Sequence, residues 1–465
     1  MGTETLTYGE SGQDIRKLID NNGITWLQIA VIALCFLINM LDGFDVLAMA
    51  YTAPSISQEW GLAPHKLGAL FSAGILGMTI GAMFLSPLAD VHGRRPLIII
   101  SVLVMGLATF ATGMAGSLWQ LVVLRAITGL GIGVLLASLT SSVAEFTPDR
   151  HRNMAIGILQ AGYPIGATLG GVLAALIIPE YGWRAVFFGG GTFALLMALT
   201  AFILLPESMQ FLLQRRPKNS LQKINRVLDK LGQPHITAMP LPKGLGGQAP
   251  SRPSVTTLLS PEHRPQTLRL WTAFFMAFVT LYFLQSWVPK LLVDAGLALD
   301  KAIYAGAAIN LGGAAGMVVL GWISTRWGLP RTISTYLVVG AIFMILFTMV
   351  PQEISLLLGL SFIIGFLVIG GFVGLYSVAA RIYPATIRTT GVGWAIGAGR
   401  VGAIIGSYSG GVLISLNFTM GSNFLIFAFP LLISGFAAAL MSSPALGSTA
   451  SQALKNPRLA AESSS

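Results

Sequence analysis

Two carboxylates lie inside the first apolar stretch of the chain, at Asp42 and Asp45. If Tyr51 marks the interfacial end of that stretch, Asp45 lies about 9 Å inside it at ~1.5 Å per helical residue. Asp42 lies one turn deeper, on the same helix face, and Gly43 between them allows close approach of a backbone or a ligand. A carboxylate at membrane depth costs roughly 2.5–3.5 kcal/mol, so it must face a cavity or a partner. We therefore predict proton-carrying or ion-pairing groups; the alternative is a hydrated helix end.

Two arginines also lie at membrane depth. Arg125 lies at about the depth of Asp45, and we expect an ion pair between them because a buried guanidinium needs a carboxylate or a bound anion. The alternative is a static structural pair. Arg400 lies near the middle of a later apolar run, in a half of the chain without an acidic residue at that depth. We predict that its planar fork binds a carboxylate ligand, with a purely structural role as the alternative.

The composition indicates the elements that position these side chains. Hydrophobic residues make up 54% of the chain and charged residues 10%, with a mean hydropathy of +0.74, which excludes an ordinary soluble domain. A polar amino-terminal stretch precedes the first apolar run, so no cleavable signal peptide is expected. The single Cys35 excludes an intramolecular disulfide and a cysteine metal cluster. Twelve apolar runs are predicted to span a membrane, at about 24–50, 66–88, 97–115, 119–142, 153–178, 184–205, 268–290, 302–324, 332–350, 354–378, 391–415 and 423–441.

The charge is distributed unevenly between the two sides of these runs. A net charge of +10 alone is compatible with nucleic-acid binding. However, eighteen Lys and Arg residues lie in loops on the amino-terminal side and four in loops on the opposite side. This asymmetry follows the positive-inside rule, so both termini are predicted to be cytoplasmic. We expect a lipid bilayer as the environment and no nucleic acid as a partner.

The chain is predicted to contain two related halves. The pattern Pro-x3-Arg-x4-Gly begins at Pro148 and again at Pro384, and at nearly the same offset the loop from Ser86 has a counterpart from Gly321. Two agreeing offsets indicate parallel repeats. Apolar residues at helical spacing from 221 to 231 predict an amphipathic helix on the inner membrane surface, and 234–265 a flexible linker. The predicted organisation is a tail (1–23), a six-helix bundle (24–205), a cytoplasmic central loop (206–267), a second six-helix bundle (268–441) and a tail (442–465).

One loop signature carries a resemblance to a known superfamily. The pattern Asp-x-x-Gly-Arg-Arg from Asp90, with a weaker copy around Arg326, resembles the loop signature of the major facilitator superfamily. Its usual leading glycine is Ser86 here. Residues 206–208 (Pro-Glu-Ser) also resemble a facilitator element. The resemblance implies an all-α polytopic membrane protein with twelve transmembrane helices in two pseudo-symmetric six-helix bundles.

Two shorter motifs resemble the aromatic acid:proton symporter family of that superfamily. They are the Asp42–Asp45 pair and the Gly-Arg-x-Gly sequence around Arg400. This resemblance implies a proton-coupled secondary transporter that imports benzoate-like or hydroxybenzoate-like carboxylates by alternating access. None of the five histidines lies in an apolar run, so proton coupling would depend on the two aspartates. The expected setting is a bacterial inner membrane, and the expected state is a monomer.

Two other readings compete with this one. An exporter or antiporter of drugs or other organic anions usually carries Gly-Pro beside a glycine pair in the fifth span, whereas this chain has Gly162-Tyr163-Pro164. An intramembrane enzyme or a receptor is disfavoured because the apolar runs show no metal-ligand cluster and no nucleophile–histidine pair. We therefore expect no enzymatic activity, no cofactor and no metal, with protons as the coupling ion.

The remaining site residues are predicted by depth and by position. The expected substrate-binding residues, of which the aromatic and amide ones are more often packing residues than ligands, are Arg400, Arg125, Phe44, Tyr163, Tyr282, Gln285 and Trp394. A gate at the cytoplasmic mouth is expected, in which Asp90 and Arg94 hold the inner face shut; for its arginines the alternative is hydrated positive-inside charge. The predicted gate residues are Asp90, Arg94, Arg95, Glu145, Arg152 and Arg388.

Overall fold

The computed structural model describes residues 25–236, 238–239, 255–350, 353–383 and 387–441. Their regular structure is helical, and twelve long helices account for most of it. The long helices are α1 (Trp26–Trp60), α2 (Pro64–Ile80), α3 (Arg94–Thr112), α4 (Leu118–Phe146), α5 (Asp149–Tyr181), α6 (Trp183–Leu204), α7 (Arg264–Asp294), α8 (Leu299–Trp327), α9 (Leu329–Phe347), α10 (Ile354–Ile382), α11 (Arg388–Ser415) and α12 (Met420–Ala439).

Each predicted apolar run coincides with one of these helices. Eleven of them are long and apolar enough to cross a membrane, with α2 extended through a π-helical turn and a 3-10 turn to Leu88. The remaining helix, α11, has 28 residues, but its glycines and Arg400 reduce its mean hydropathy. The predicted all-α class with twelve spans is therefore confirmed.

The described part of the segment between α6 and α7 contains three short helices. They are Met209–Arg215, Ser220–Lys230 and Val255–Leu258. The second is the predicted amphipathic helix, but its apolar side chains Ile224 and Leu228 are fully buried by protein. The apolar face of this helix is therefore covered by protein, and its location at the inner membrane surface stays a prediction. Half of the predicted linker lies outside the described residues.

Backbone conformation repeats along the chain at the predicted offset. Thr147 and Tyr383, which follow α4 and α10 at equivalent positions, share an extended conformation (φ −99°, ψ 134° and φ −102°, ψ 140°). Residues with positive φ end helices in both halves, and an asparagine tolerates this conformation nearly as well as glycine. These residues form three equivalent pairs: Gly61 with Gly296, Gly93 with Gly328, and Gly182 with Asn417. The two members of each pair are separated by the same number of residues as Ser86 and Gly321, where the two related loops begin. The internal repeat is thereby confirmed at the level of the turns.

Close contacts between helices repeat as well. A Cβ at Gly166 of α5 would lie 1.9 Å from the carbonyl oxygen of Met40 on α1. At the equivalent position, a Cβ at Gly402 of α11 would lie 2.3 Å from the carbonyl oxygen of Phe275 on α7. Only a residue without a side chain allows backbones to approach so closely, which is how small residues hold membrane helices together.

A second pair of helices shows the same relation. A Cβ at Gly77 of α2 would lie 2.1 Å from the carbonyl oxygen of Ala126 on α4, and one at Gly312 of α8 would lie 1.9 Å from that of Phe362 on α10. Thus α1 pairs with α5 and α2 with α4, and their counterparts α7 with α11 and α8 with α10 pair in the same register.

Residue contacts divide the described chain into two compact units. The first unit takes its residues from Met1–Asp45, Leu76–Gly166 and Arg184–Ser251, and the second from Val46–Ile75, Ala167–Trp183 and Arg252–Ser465. The second unit therefore contains one end each of α1, α2 and α5 as well as α7 to α12. The boundaries predicted from sequence follow chain connectivity and stay a prediction.

Within the second unit, Tyr51 ties the end of α1 to α5 and α8. Its hydroxyl donates a hydrogen bond to the Ala167 carbonyl at 3.0 Å and interacts with the Asn310 side chain. Its ring lies 3.1 Å from where a Cβ would stand at Gly171 or at Gly306. Tyr51, which the sequence suggested as an interfacial marker, is thus a buried contact residue.

We predict that Gly365→Ala destabilises the protein. A Cβ there would lie 1.8 Å from the Ile309 carbonyl oxygen, so α8 and α10 would have to separate. Overpacking of this kind typically costs about 1–3 kcal/mol. The measurement is thermal unfolding of the purified protein in detergent, with a fall of several degrees expected.

The control for this variant is Gly359→Ala on the same helix, where a Cβ meets nothing within 4 Å. Alanine is the better helix former by roughly 1 kcal/mol, so this variant should be neutral or slightly stabilised. Equal melting temperatures for the two variants would contradict the inferred role of the close α8–α10 contact.

Candidate functional site

Asp45 and Arg125 form a buried ion pair in the first unit. Arg125 Nη1 donates to Asp45 Oδ2 at 3.1 Å, and both residues are 4% exposed. Thr109 Oγ1 donates to the other carboxylate oxygen at 2.5 Å. Both carboxylate oxygens of Asp45 therefore accept hydrogen bonds, one of them within an ion pair. The predicted ion pair is present; its part in transport stays a proposal.

The arginine of this pair is held on its other side by hydroxyls and a ring. Arg125 Nη2 donates to Thr112 Oγ1 at 2.9 Å and to Thr128 Oγ1 at 3.2 Å. The guanidinium lies 5.2 Å from the centre of the Phe187 ring, a cation–π distance. These contacts fix the guanidinium at the carboxylate, so that protonating Asp45 would neutralise the charged partner of Arg125 in this network.

The residues around Asp45 on α1 differ in what they contact. Asp42 lies one turn away and is 5% exposed. The close approach expected at Gly43 is helix packing, because a Cβ there would lie 2.0 Å from the Tyr163 carbonyl oxygen of α5. Phe44 packs its ring against Gly190 of α6. The structure therefore places Tyr163 and Phe44 in helix contacts near the ion pair.

A second cluster of charges joins the first residues of α3 to the end of α4. Arg94 Nη1 donates to Glu145 Oε2 at 2.7 Å, and Ser208 Oγ donates to the same carboxylate at 2.8 Å. Glu207 Oε1 accepts from the backbone N–H groups of Arg94 and Arg95, at 3.1 and 3.2 Å. A carboxylate at the amino terminus of α3 satisfies free N–H groups and complements the helix dipole.

The other predicted gate residues do not all join this cluster. Arg95 donates to the Phe202 carbonyl at 2.6 Å, and Arg152 pairs with Asp149 one turn earlier on its own helix. The side chains of Asp90 and Arg388 lie outside the described residues, so the expected Asp90–Arg94 contact stays a prediction. The partner that the structure gives to Arg94 is Glu145, which also belongs to the predicted set.

In the second unit, Arg400 lies beside a wall of aromatic rings, which we call the aromatic wall and define as Phe278, Tyr282, Phe372 and Tyr376. Phe278 stacks on Tyr282 at 5.7 Å and meets Phe372 edge-on at 4.6 Å. Phe372 in turn meets Tyr376 edge-on at 5.5 Å. The rings come from α7 and α10, and each pair on one helix is spaced by four residues.

Helix α11 brings Arg400 to this wall through its neighbour Gly399. A Cβ at Gly399 would lie 2.3 Å from the Phe278 ring, so only glycine allows α11 to approach α7 there. Arg400 is also within electrostatic range of Tyr376. Its Nη1 is buried and has no hydrogen-bond partner among the described residues.

The remaining predicted ligands lie on different faces. Gln285 is buried on α7, three residues beyond Tyr282 and therefore on a neighbouring part of the same face. Trp394 is exposed on α11, in one stripe with Val401 and Ile405, and stacks on Trp271. At about 100° per residue this stripe points away from Arg400. The structure therefore brings Tyr282 to the aromatic wall and does not bring Trp394 there.

Sequence reasoning missed three residues of the aromatic wall. Phe278, Phe372 and Tyr376 are ordinary members of apolar runs, and only their four-residue spacing, Phe278 to Tyr282 and Phe372 to Tyr376, could have indicated a shared face. The threonines around Arg125 show a comparable signal, since Thr109 and Thr112 are three residues apart.

With this geometry established, comparisons with known proteins define the class. The family described as Major Facilitator Superfamily matches residues 33–407, with a further match at 304–461. The chain therefore belongs to the major facilitator superfamily, and it is a transporter rather than an enzyme. An inward-facing bacterial homologue of the lysosomal transporter Spinster has the same fold (TM-score 0.69, 18% identity, 91% of this chain and 100% of that one). So does the Escherichia coli xylose transporter XylE (TM-score 0.68, 16% identity, 91% and 99%).

Closer relatives place the chain in the aromatic-acid branch of that superfamily. It is 36% identical to a gallate transporter of Pseudomonas putida, over 92% of this chain and 94% of the relative. It is 35% identical to the 4-hydroxybenzoate transporter PcaK of the same species, over 87% and 90%. A benzoate transport protein of Acinetobacter baylyi is 28% identical, over 90% of each chain.

We predict that Asp45→Asn and Arg125→Gln each destabilise the protein, because each leaves one buried group without its partner. Breaking a buried pair from one side typically costs about 3–5 kcal/mol. The double variant removes both charges and should recover part of that loss. The measurement is the melting temperature of all three purified variants.

The control is Asp149→Asn, which breaks a largely exposed pair with Arg152 that is worth about 0–1 kcal/mol. It should change the melting temperature little. If the losses from Asp45→Asn and Arg125→Gln simply add in the double variant, the two residues are not energetically coupled.

Proposed function

We propose that the protein is a proton-coupled secondary active transporter that imports aromatic carboxylates of the benzoate or hydroxybenzoate kind by alternating access. The observation that carries this proposal is the buried Nη1 of Arg400, without a hydrogen-bond partner among the described residues and beside the aromatic wall. The names of the gallate and 4-hydroxybenzoate relatives support it. The proposed setting is a bacterial inner membrane, with both termini in the cytoplasm and a monomer as the working unit.

The anion is inferred from the lack of an internal counter-charge. Across the described parts of α7 to α12, the acidic residues are Asp294, Asp300 and Glu353, and all three lie at helix ends. A guanidinium at membrane depth is expensive without an opposite charge. A substrate carboxylate would supply that charge, and the planar fork of Arg400 matches its two oxygens.

The aromatic part of the substrate is inferred from the wall beside that guanidinium. Rings prefer edge-to-face and offset contacts with one another, worth about 0.5–1.5 kcal/mol beyond the area they bury. An aryl ring whose carboxylate is held by Arg400 would meet Phe278, Tyr282 or Tyr376. An aliphatic carboxylate would gain burial there but not the aromatic contacts.

Proton coupling is assigned to the aspartates of α1. Asp45 accepts hydrogen bonds from Arg125 and Thr109, so a proton bound there would weaken its ion pair with Arg125. Asp42 is buried one turn away on the same helix face, at greater depth from the Tyr51 end. We therefore assign proton binding to the two aspartates of α1 together, Asp42 and Asp45, and treat the Asp45–Arg125 pair as the interaction that responds to it.

We predict that Arg400→Lys binds aromatic carboxylates about ten- to hundredfold more weakly than the unmodified protein, because it keeps the charge but loses one charge-assisted hydrogen bond. Arg400→Ala should lose nearly all carboxylate binding. The measurement is binding of benzoate and benzamide to purified variants that pass a thermal-unfolding check. Benzamide lacks the anion, so it should bind weakly and respond little to either change. Equal losses for acid and amide would mean that Arg400 supports the structure only.

We predict that Asp42→Asn abolishes gradient-driven accumulation of labelled aromatic acid in vesicles, while exchange without a gradient persists. The reason is that asparagine cannot take up the coupling proton. Asp294→Asn, which breaks a partly exposed pair with Lys290 at the end of α7, is the matched control and should accumulate normally. Accumulation at the unmodified level in Asp42→Asn would remove Asp42 from the mechanism. Accumulation driven in the outward direction would favour the exporter instead.

A further inference from the structure

We propose that Tyr376 is a substrate-contacting residue whose hydroxyl donates a hydrogen bond to the same carboxylate that Arg400 binds. This inference rests on the proposed function and names a second donor for it. Tyr376 lies on α10 and Arg400 on α11, so the anion would be held between two helices of the second unit. Tyrosine can donate to a carboxylate without adding charge to the site.

The electrostatic neighbours of Tyr376 come from two other helices. Tyr376 interacts electrostatically with both Arg400 and Tyr282. Tyr376 is therefore within electrostatic range of a cation on α11 and of a tyrosine on α7. The packing agrees, because Gly399 lies against the Phe278 ring, and Phe278 contacts Phe372, which in turn contacts Tyr376.

The ring of Tyr376 is held by two neighbouring rings, whereas its hydroxyl is not held by a hydrogen bond to a described residue. Phe274 meets the ring edge-on at 5.1 Å, and Phe372 meets it edge-on at 5.5 Å. Two perpendicular neighbours on different helices fix the ring plane. The hydroxyl itself makes no hydrogen bond with a described residue.

Two buried tyrosines of the second unit, Tyr51 and Tyr383, have hydroxyls that bond within the protein. The Tyr51 hydroxyl donates to the Ala167 carbonyl, and the Tyr383 hydroxyl donates to Thr267 Oγ1 at 3.2 Å. Both are satisfied inside the protein, as buried polar groups normally are. The Tyr376 hydroxyl makes no such bond with a described residue, and the guanidinium within its electrostatic range has no lone pair to accept one. The hydroxyl and the guanidinium are both donors, so one carboxylate bound beside them could accept from both.

A carboxylate can serve as the acceptor for both donors. A carboxylate has two oxygens and about four lone-pair positions, so the fork of Arg400 leaves room for another donor. A neutral aromatic compound offers fewer acceptor positions and no charge. Binding by two donors from different helices therefore selects for the anion and fixes its ring against Phe372 and Phe278. The loss expected on removing the hydroxyl alone is about tenfold in affinity.

The test is binding of labelled benzoate and 4-hydroxybenzoate to the full-length protein in detergent. The variants are Tyr376→Phe and its matched control Tyr336→Phe. Tyr336 lies on α9, stacks on Phe366 and has a buried hydroxyl with no partner among the described residues. Tyr376→Phe should weaken both acids by about the same tenfold factor, and Tyr336→Phe should leave both unchanged. A loss confined to 4-hydroxybenzoate would mean that Tyr376 contacts a ring hydroxyl, and it would overturn the proposal.

A double variant separates contact from structural support. If both residues bind one carboxylate, Tyr376→Phe should cost much less in an Arg400→Ala background than alone. Undiminished losses in that background, or equal losses for benzoate and benzamide, would show that Tyr376 acts only through packing. Unchanged benzoate binding in Tyr376→Phe, with Arg400→Lys still impaired, would overturn the role of Tyr376 and leave the proposed function standing. Failure of the unmodified protein to bind either acid would overturn both.

Discussion

The cost of placing charge at membrane depth governs the chemistry of this protein. A charge there persists only beside an opposite charge or enough hydrogen bonds to replace its water. In the first unit that requirement is met internally, because Asp45 neutralises Arg125 and three threonine hydroxyls complete the network. In the second unit, Arg400 has no acidic residue at its depth in the described helices and keeps one buried nitrogen without a partner. The two guanidiniums thus differ in whether the protein itself supplies the anion.

The helix framework makes this difference possible because it is nearly the same in both halves. Gly166 and Gly402 are equivalent in the internal repeat. Each lies in close contact with a backbone carbonyl oxygen of the first helix of its half. Such contacts depend on the absence of a side chain, so they fix the distance between helices independently of the residues on either side. Side chains beside these contacts can then vary without changing how the helices pack.

Part of this site could be predicted from sequence because depth can be counted along a helix. Counting from interfacial aromatic residues placed Arg125 level with Asp45, and the two form an ion pair. The threonines could not be predicted in the same way, because Thr112 and Thr128 also bond to their own helix backbones, which is the ordinary use of threonine in a helix. Their second role appears only when the arginine is positioned in space.

Rotation of a helix about its axis was the harder property to predict. Trp394 was selected by its depth, yet it lies on a different face of α11 from Arg400. Tyr376 was missed because an aromatic residue in an apolar run shows nothing of the direction in which its ring points. Likewise, Arg94 and Glu145 were both placed at the cytoplasmic mouth from sequence, but their direct contact across 51 residues and two helices could not be predicted. Position along the chain predicts depth well, but contacts across helices require the three-dimensional arrangement.

Pro164 and Arg400 are equivalent positions of the internal repeat, separated by the same number of residues as Pro148 and Pro384, but they differ in charge. Both occupy the same place in the internal repeat, just before the glycine that makes the repeated helix contact. In one half that position carries no charge, and the charged chemistry lies on α1 and α4. In the other half it carries the cation that is proposed to bind substrate.

Under the proposed function, the proton is taken up in the first unit and the carboxylate is bound in the second. Two ligands that bind different groups influence one another only if each favours one conformation of the whole protein over another. The coupling of proton and substrate would therefore depend on how protonation of the aspartates shifts that conformational equilibrium.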